Sequence, residues 1–241
     1  MDINFVHCFF EQSGVFKNAF KKNNIPAADY DIKNEYGQTD FIIDLFSEIE
    51  KKEGKSIFDN IKKNDLIFAF FPCLYFCENN QLFFTAQSLN FNNKTKDFVI
   101  NKIIERAEMR NKYYIILLKL VEKCLQRSLK LIIENPYSKN SYLYNNFPLK
   151  PSVIDFNRNE RGDKFKKPTQ YFFLNCDPCF EKTSIQTKYK VININALSGH
   201  FGSYCSKERS EITPEYANNF ICDFLLNKKT QFTEKTLFDY E

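Results

Sequence analysis

Residues 65–73 read Asp-Leu-Ile-Phe-Ala-Phe-Phe-Pro-Cys, and this stretch decides the fold. An unbroken apolar run of this length is a buried strand, and it stops at Phe71-Pro72-Cys73, which leaves a thiol at the strand end. About 60 residues further on, a second apolar run, Leu131-Ile132-Ile133, stops at Glu134-Asn135-Pro136. One buried strand thus delivers a soft nucleophile and another a proton donor.

Working outward, the first 140 or so residues alternate strand-like and helix-like segments. Residues 4–10 read as a strand, a turn follows at Ser13-Gly14, and the spaced apolar positions of 15–20 suit a helix packed on a sheet. Residues 27–32 and 40–44 read as the next strands, 44–54 as a one-sided helix, 57–63 as a turn or helix, and 102–130 as one long or two short helices. This alternation predicts an α/β fold with a doubly wound, mostly parallel sheet, whose ligands bind beyond the carboxyl ends of the strands. Gly14, Asp31, Asp44, Cys73 and Glu134 all fall at such ends. Residues 137–144 read as a loop, and 151–205 as short strands and turns. Thr213 and Pro214 open a capped helix to about residue 226. The domain reading is a core over 1–150, a small irregular substrate-facing lobe over 151–208, a helix returning to the core over 209–226 and a polar tail over 227–241.

Composition narrows the function class little. The chain has 241 residues, enough for one main domain, with 43% apolar and 27% charged residues, which argues against disorder or a fibre. Its 27 Phe against 6 Gly and no Trp look like an A+T-rich coding bias. A net charge of +4, from 34 basic and 30 acidic residues, permits nucleic-acid binding without arguing for it. No run of about 18 apolar residues and no signal-peptide pattern is present, so no membrane partner is expected. A cytoplasmic protein whose eight cysteines are thiols is the expectation.

Read in order, Phe10-Glu-Gln-Ser-Gly14-Val-Phe, Tyr30-Asp31-Ile32, Asp44, Phe71-Pro72-Cys73-Leu-Tyr-Phe-Cys77, Glu134-Asn-Pro136, Lys166-Lys-Pro-Thr169 and Arg209-Ser-Glu-Ile-Thr-Pro214 resemble the DNA (cytosine-5) methyltransferases, in particular short phage- and mobile-element-type members. The resemblance runs from about Phe5 to Leu226. It implies a sheet of the S-adenosylmethionine-dependent methyltransferase type and transfer of a methyl group from S-adenosyl-L-methionine to C5 of cytosine in DNA. By that resemblance Cys73 adds to C6 of the ring while Glu134 hydrogen-bonds and protonates N3, and the base must be flipped from the duplex. The cofactor would be held by Phe10, Ser13, Gly14, Asp31, Ile32, Asp44 and Pro72, with Asp31 accepting the ribose hydroxyls. Taken singly, Cys73 has a plainer reading as a small packed hydrophobe and Glu134 as a solvated strand-end charge.

Two departures mark the chain. Gln12 stands where the family usually has a glycine, placing a side chain where close cofactor approach is wanted. In the 152–161 stretch, Arg158 and Arg161 are both candidates for the arginine that helps hold the base, and spacing does not choose between them. Lys164, Lys166, Lys167 and Thr169 suit phosphate contacts. The short stretch between Thr169 and Arg209 points to weak sequence selectivity or to a protein partner that supplies it. Cys176, Cys179, His200 and Cys205 have spacing compatible with a structural zinc site, with free thiols and no metal as the preferred reading. The alternatives to a DNA methyltransferase are a catalytically impaired or partner-dependent protein of the same fold that binds DNA or protein, and a methyltransferase acting on RNA or nucleotide pyrimidines.

Overall fold

The computed structural model describes residues 1–179, 192–193 and 211–228. Seven strands form one sheet: β1 (Val6–Phe9), β2 (Ala27–Asp31), β3 (Phe41–Ile42), β4 (Leu66–Ala69), β5 (Lys130–Pro136), β6 (Val153–Asp155) and β8 (Thr169–Leu174), in the spatial order β3-β2-β1-β4-β5-β8-β6. The first five strands run parallel to their neighbours, while β8 is antiparallel to both β5 and β6. A short ribbon pairs β7 (Phe165–Lys166) with β9 (Ile192–Asn193). The architecture is mixed α/β with a mostly parallel sheet, compatible with a Rossmann-like fold.

Period-two side-chain alternation sorts the sheet into two buried faces. Phe9, Tyr30, Ile67, Leu131 and Ile133 point to one, against α2 (Leu45–Glu50) and the carboxyl-terminal half of α3 (Lys96–Gln126). Val6, Cys8, Leu66, Phe68 and Ile132 point to the other, against α1 (Val15–Lys22) and α5 (Pro214–Ile221). Helices on both faces explain why β1 and β4 are buried at every position, with β4 apolar throughout and β1 interrupted only by His7. At α5 the expected cap is present: Thr213 Oγ1 accepts from Tyr216 N at 3.2 Å and Pro214 occupies the first turn.

Three readings change. The segment over 137–144, expected as a loop, contains the start of a short helix, α4 (Tyr142–Asn146), which buries Leu143. The long helix is single and begins at Lys96, where Thr95 Oγ1 accepts from Phe98 N at 3.3 Å. The sheet also continues past residue 150, because β6 and β8 complete it.

Candidate active site at the carboxyl ends of the strands

The strand order reverses direction between β1 and β4, so their carboxyl ends diverge and leave a crevice there. Aromatic rings floor it. Phe10 meets Phe71 edge-on with centroids 5.2 Å apart, and Phe46 stacks on Phe71 at 5.8 Å. Because β8 runs antiparallel, its amino end lies beside the carboxyl end of β5, with Thr169 opposite Pro136 and Tyr171 opposite Glu134. The turn before β8 therefore reaches the same rim as Cys73 and Glu134.

Cys73 opens a tight turn in which Phe76 N and Cys77 N both donate to its carbonyl, at 2.9 and 3.1 Å. A hydrogen bond from the Cys77 thiol holds the Cys73 thiol below its ordinary pKa. Burial opposes this, and the Lys167 charge adds to it. Cys77, as donor, is pushed far up. Glu134 is 9% exposed, and burial raises its carboxyl against the attraction of Lys167 and Arg158. Asn135 ties the two strand ends together: its Nδ2 donates to Phe71 O at 3.1 Å. Gln170 in turn donates to Pro136 O at 3.0 Å. The rim thus gathers a thiol biased toward thiolate, a carboxyl biased toward neutral, and a lysine whose charge both feel.

The two arginines separate. Arg158 is buried, paired with Asp163, 4.7 Å from the Tyr216 ring centroid, and close enough for Glu134 to feel its charge. Arg161 is not brought to that pair. It bridges Asp155 at 2.9 Å and Asp223 at 3.2 Å, which fastens β6 to the segment after α5. Of the lysines expected at phosphates, Lys164 and Lys166 are exposed and Lys167 is half-buried. Thr169 is corrected: it is fully buried in β8, and its hydroxyl donates to Lys167 O at 3.1 Å, so it shapes the lysine turn instead of facing an anion.

On the β2 side of the crevice, Asp31 sits at the strand end, its carboxylate accepting from Lys33 N at 2.8 Å. Asp44 caps α2 by accepting from Phe46 N at 3.0 Å. Beside them Ile32 and Ile42 are 62% and 60% exposed, an apolar surface that suits the flat face of an adenine. This half of the crevice thus pairs carboxylates with an exposed apolar surface. The other half is narrowed by the chain itself. Gly14 has φ +68°, and a Cβ there would meet Gln38 Cβ at 3.2 Å, so its open side faces the 33–40 loop. Gln12 Oε1 accepts from Glu35 N at 3.2 Å, and Lys17 reaches the Gln38 carbonyl. Glu11 takes two amides at the start of α1, Phe16 N at 2.7 Å and Lys17 N at 3.2 Å, while Val15 N lies 3.4 Å from Ser13 Oγ.

Cys176 and Cys179 direct their thiols at main-chain carbonyls, at Leu174 and Leu225 respectively, and His200 and Cys205 lie outside the described residues. Among the described residues no group of three or more His, Cys, Asp or Glu could hold a metal ion, the seven cysteines are free thiols, and no helix is long and apolar enough to cross a membrane.

Cys77, Asn135 and the inward role of Lys167 are what the sequence reading missed. Cys77 four residues after Cys73 was a visible signal, since such spacing returns a side chain to the same side of a helical turn. No protein-family model matches the chain, and no curated protein is significantly similar to it.

Proposed function

We propose that the chain is an S-adenosyl-L-methionine-dependent methyltransferase acting on C5 of cytosine in DNA through a covalent adduct on Cys73. One observation carries this reading. Cys73, Glu134 and Lys167 arrive at one rim from three separate segments, with the thiol and the carboxyl shifted in opposite directions. Opposed shifts of that kind are how one site holds a nucleophile and an acid together near neutral pH.

The chain's residues do the following. The Cys73 sulfur, kept reactive by the Cys77 hydrogen bond and Lys167, adds to C6 of a flipped cytosine. Glu134, whose burial favours the protonated form, donates its hydrogen to N3, so the electron density pushed into the ring collects at C5. The cofactor, when bound, supplies the electrophilic methyl group. Loss of the C5 proton to solvent then re-forms the ring double bond as the Cys73 sulfur leaves C6 as thiolate, and the N3 proton returns to Glu134. Asp31, Ile32 and Asp44 would hold the nucleoside half of the cofactor, and Lys164 and Lys166 would contact phosphates. In this reading a protein partner supplies further sequence recognition.

The test is transfer of a labelled methyl group from S-adenosyl-L-methionine to cytosine-containing DNA. Wild-type protein transfers it, and Cys73→Ala does not while melting at an unchanged temperature; wild-type rates from Cys73→Ala would end the proposal. A second reading, a partner-dependent protein of the same fold with weak cofactor affinity, is favoured by the bond from Gln12 to Glu35 N across the cofactor crevice. Calorimetry separates the two: saturable cofactor binding by the isolated chain argues for the first.

A further inference from the structure

Next to the Cys73 turn, the 75–98 stretch and the amino-terminal half of α3 enclose a cavity of about 350 Å³ lined by Tyr75, Phe83, Phe91, Phe98, Lys102 and Arg106, among others. None of the roles assigned above uses it. The Arg106 guanidinium lies over the rings of Tyr75, Phe83 and Phe84, at 5.3, 4.5 and 5.6 Å from their centroids. Arg110 lies over Phe84 at 4.0 Å and Tyr142 at 4.7 Å. Among the described residues neither guanidinium has a carboxylate partner, and Arg106 Nε is buried with no hydrogen-bond acceptor. Arg106 also reaches Leu74 O at 3.5 Å, which joins the cavity wall to the residue after Cys73.

Charge is concentrated here. Residues 94–112 hold six cations (Lys94, Lys96, Lys102, Arg106, Arg110, Lys112) against three carboxylates (Asp97, Glu105, Glu108), whereas the whole chain has 34 against 30. Phe98 at the mouth is 42% exposed, and Lys94 sits 5.7 Å from its ring centroid. Aromatic faces beside guanidinium groups that lack a carboxylate partner ask for a ligand that brings a flat ring and an anion together. A nucleotide has both, and an apolar peptide leaves the donors unanswered. A cavity of this size, within the usual range for small-molecule sites, admits a base with its sugar. The base must be unpaired, because a duplex offers its ring faces only to neighbouring bases.

We propose that this cavity is a stacking subsite for one unpaired nucleotide of a single-stranded segment next to the target base. The inference builds on the nucleic-acid substrate of the function proposed above. It predicts that the protein binds single strands more tightly than the matching duplex.

The experiment is fluorescence anisotropy with a labelled 12-nucleotide DNA single strand, its duplex and the RNA of the same sequence. It uses the full chain with Cys73→Ala and no cofactor, so that chemistry plays no part. Binding of the single strand should saturate, exceed that of the duplex, and fall by about five- to tenfold in Phe98→Ala and in Arg106→Gln. Each variant is checked by circular dichroism. Phe98 is exposed at the mouth, so it keeps the test valid should Arg106→Gln fail to fold. Tighter binding of the DNA or of the RNA strand tells which backbone the subsite serves, and either supports it. Duplex preference, or single-strand binding unchanged in a folded Phe98→Ala, overturns it. Methyl transfer by the wild-type chain alongside that result would leave the catalytic reading standing and remove only the subsite.

Discussion

Cys73 is a strand-end thiol whose character is set by two neighbours, the Cys77 S–H and the Lys167 charge. Cys77→Ala removes the donor, so the pH at which Cys73 becomes alkylated by iodoacetamide rises and its rate at pH 7 drops several-fold. Cys77→Ser, which keeps an O–H donor, restores most of it. Identical profiles for all three proteins would show that Cys77 has no hold on the thiolate. Lys167→Met raises the same midpoint and also raises Glu134 further, since it removes an attraction that both groups feel. Turnover should accordingly rise with pH as Cys73 ionises and decline as Glu134 loses its proton. Asn135 acts through position: it is 1% exposed, and Asn135→Ala strands the Phe71 carbonyl. A loss of about 1–3 kcal/mol in urea unfolding is expected, together with lower turnover from a looser Cys73 turn.

At the scale of elements, α1 starts on a buried carboxylate. Glu11 is 5% exposed, accepts two helix-start amides, and is pushed by burial from 4.5 to about 7. Its folded pKa lies above its unfolded one, so its contribution to stability is fully present below about pH 4.5 and is lost as pH rises through 7. A difference of about 2.5 units corresponds to about 3 kcal/mol, and Glu11→Gln should remove that slope from urea midpoints measured between pH 5 and 8. The long helix α3 behaves as two pieces. Leu120 is fully buried and Leu120→Ala should cost about 2–5 kcal/mol, whereas Ile104, 51% exposed, should tolerate Ser within about 0.5 kcal/mol. Most of this organisation was legible in the sequence. β4 and the middle of β5 announce themselves as unbroken apolar runs, and α5 by Thr213-Pro214. Strand β8 was apolar enough to see, but its place beside β5 was not, because pairing across 30 or more residues leaves no local periodicity. That missing pairing hid the inward turn of Lys167 and the separation of Arg158 from Arg161.

At the scale of the whole molecule, the sheet order puts Asp31, the thiol and the acid along one rim in sequence: β2 with Asp31, the crevice at β1 and β4 with Cys73, and β5 with Glu134. In the proposed function the cofactor would reach from β2 to the crevice, and Gln12 stands in that path. Its side chain holds Glu35 N while Gln38 packs toward Gly14, so the loop after β2 is tied down over the loop after β1. The tie has little stabilising value, because a single exposed hydrogen bond is worth about 0.5–1.5 kcal/mol net. Gln12→Gly should therefore leave folding nearly unchanged, free the 33–40 loop and vacate the volume beside Gly14. Calorimetric affinity for S-adenosyl-L-methionine should rise by about tenfold as the cost of displacing the tie disappears, a factor that matches the upper end of that hydrogen bond's worth. Unchanged affinity would mean that the cofactor passes Gln12 without disturbing it, and lower affinity that the Gln12 side chain itself contacts the ligand.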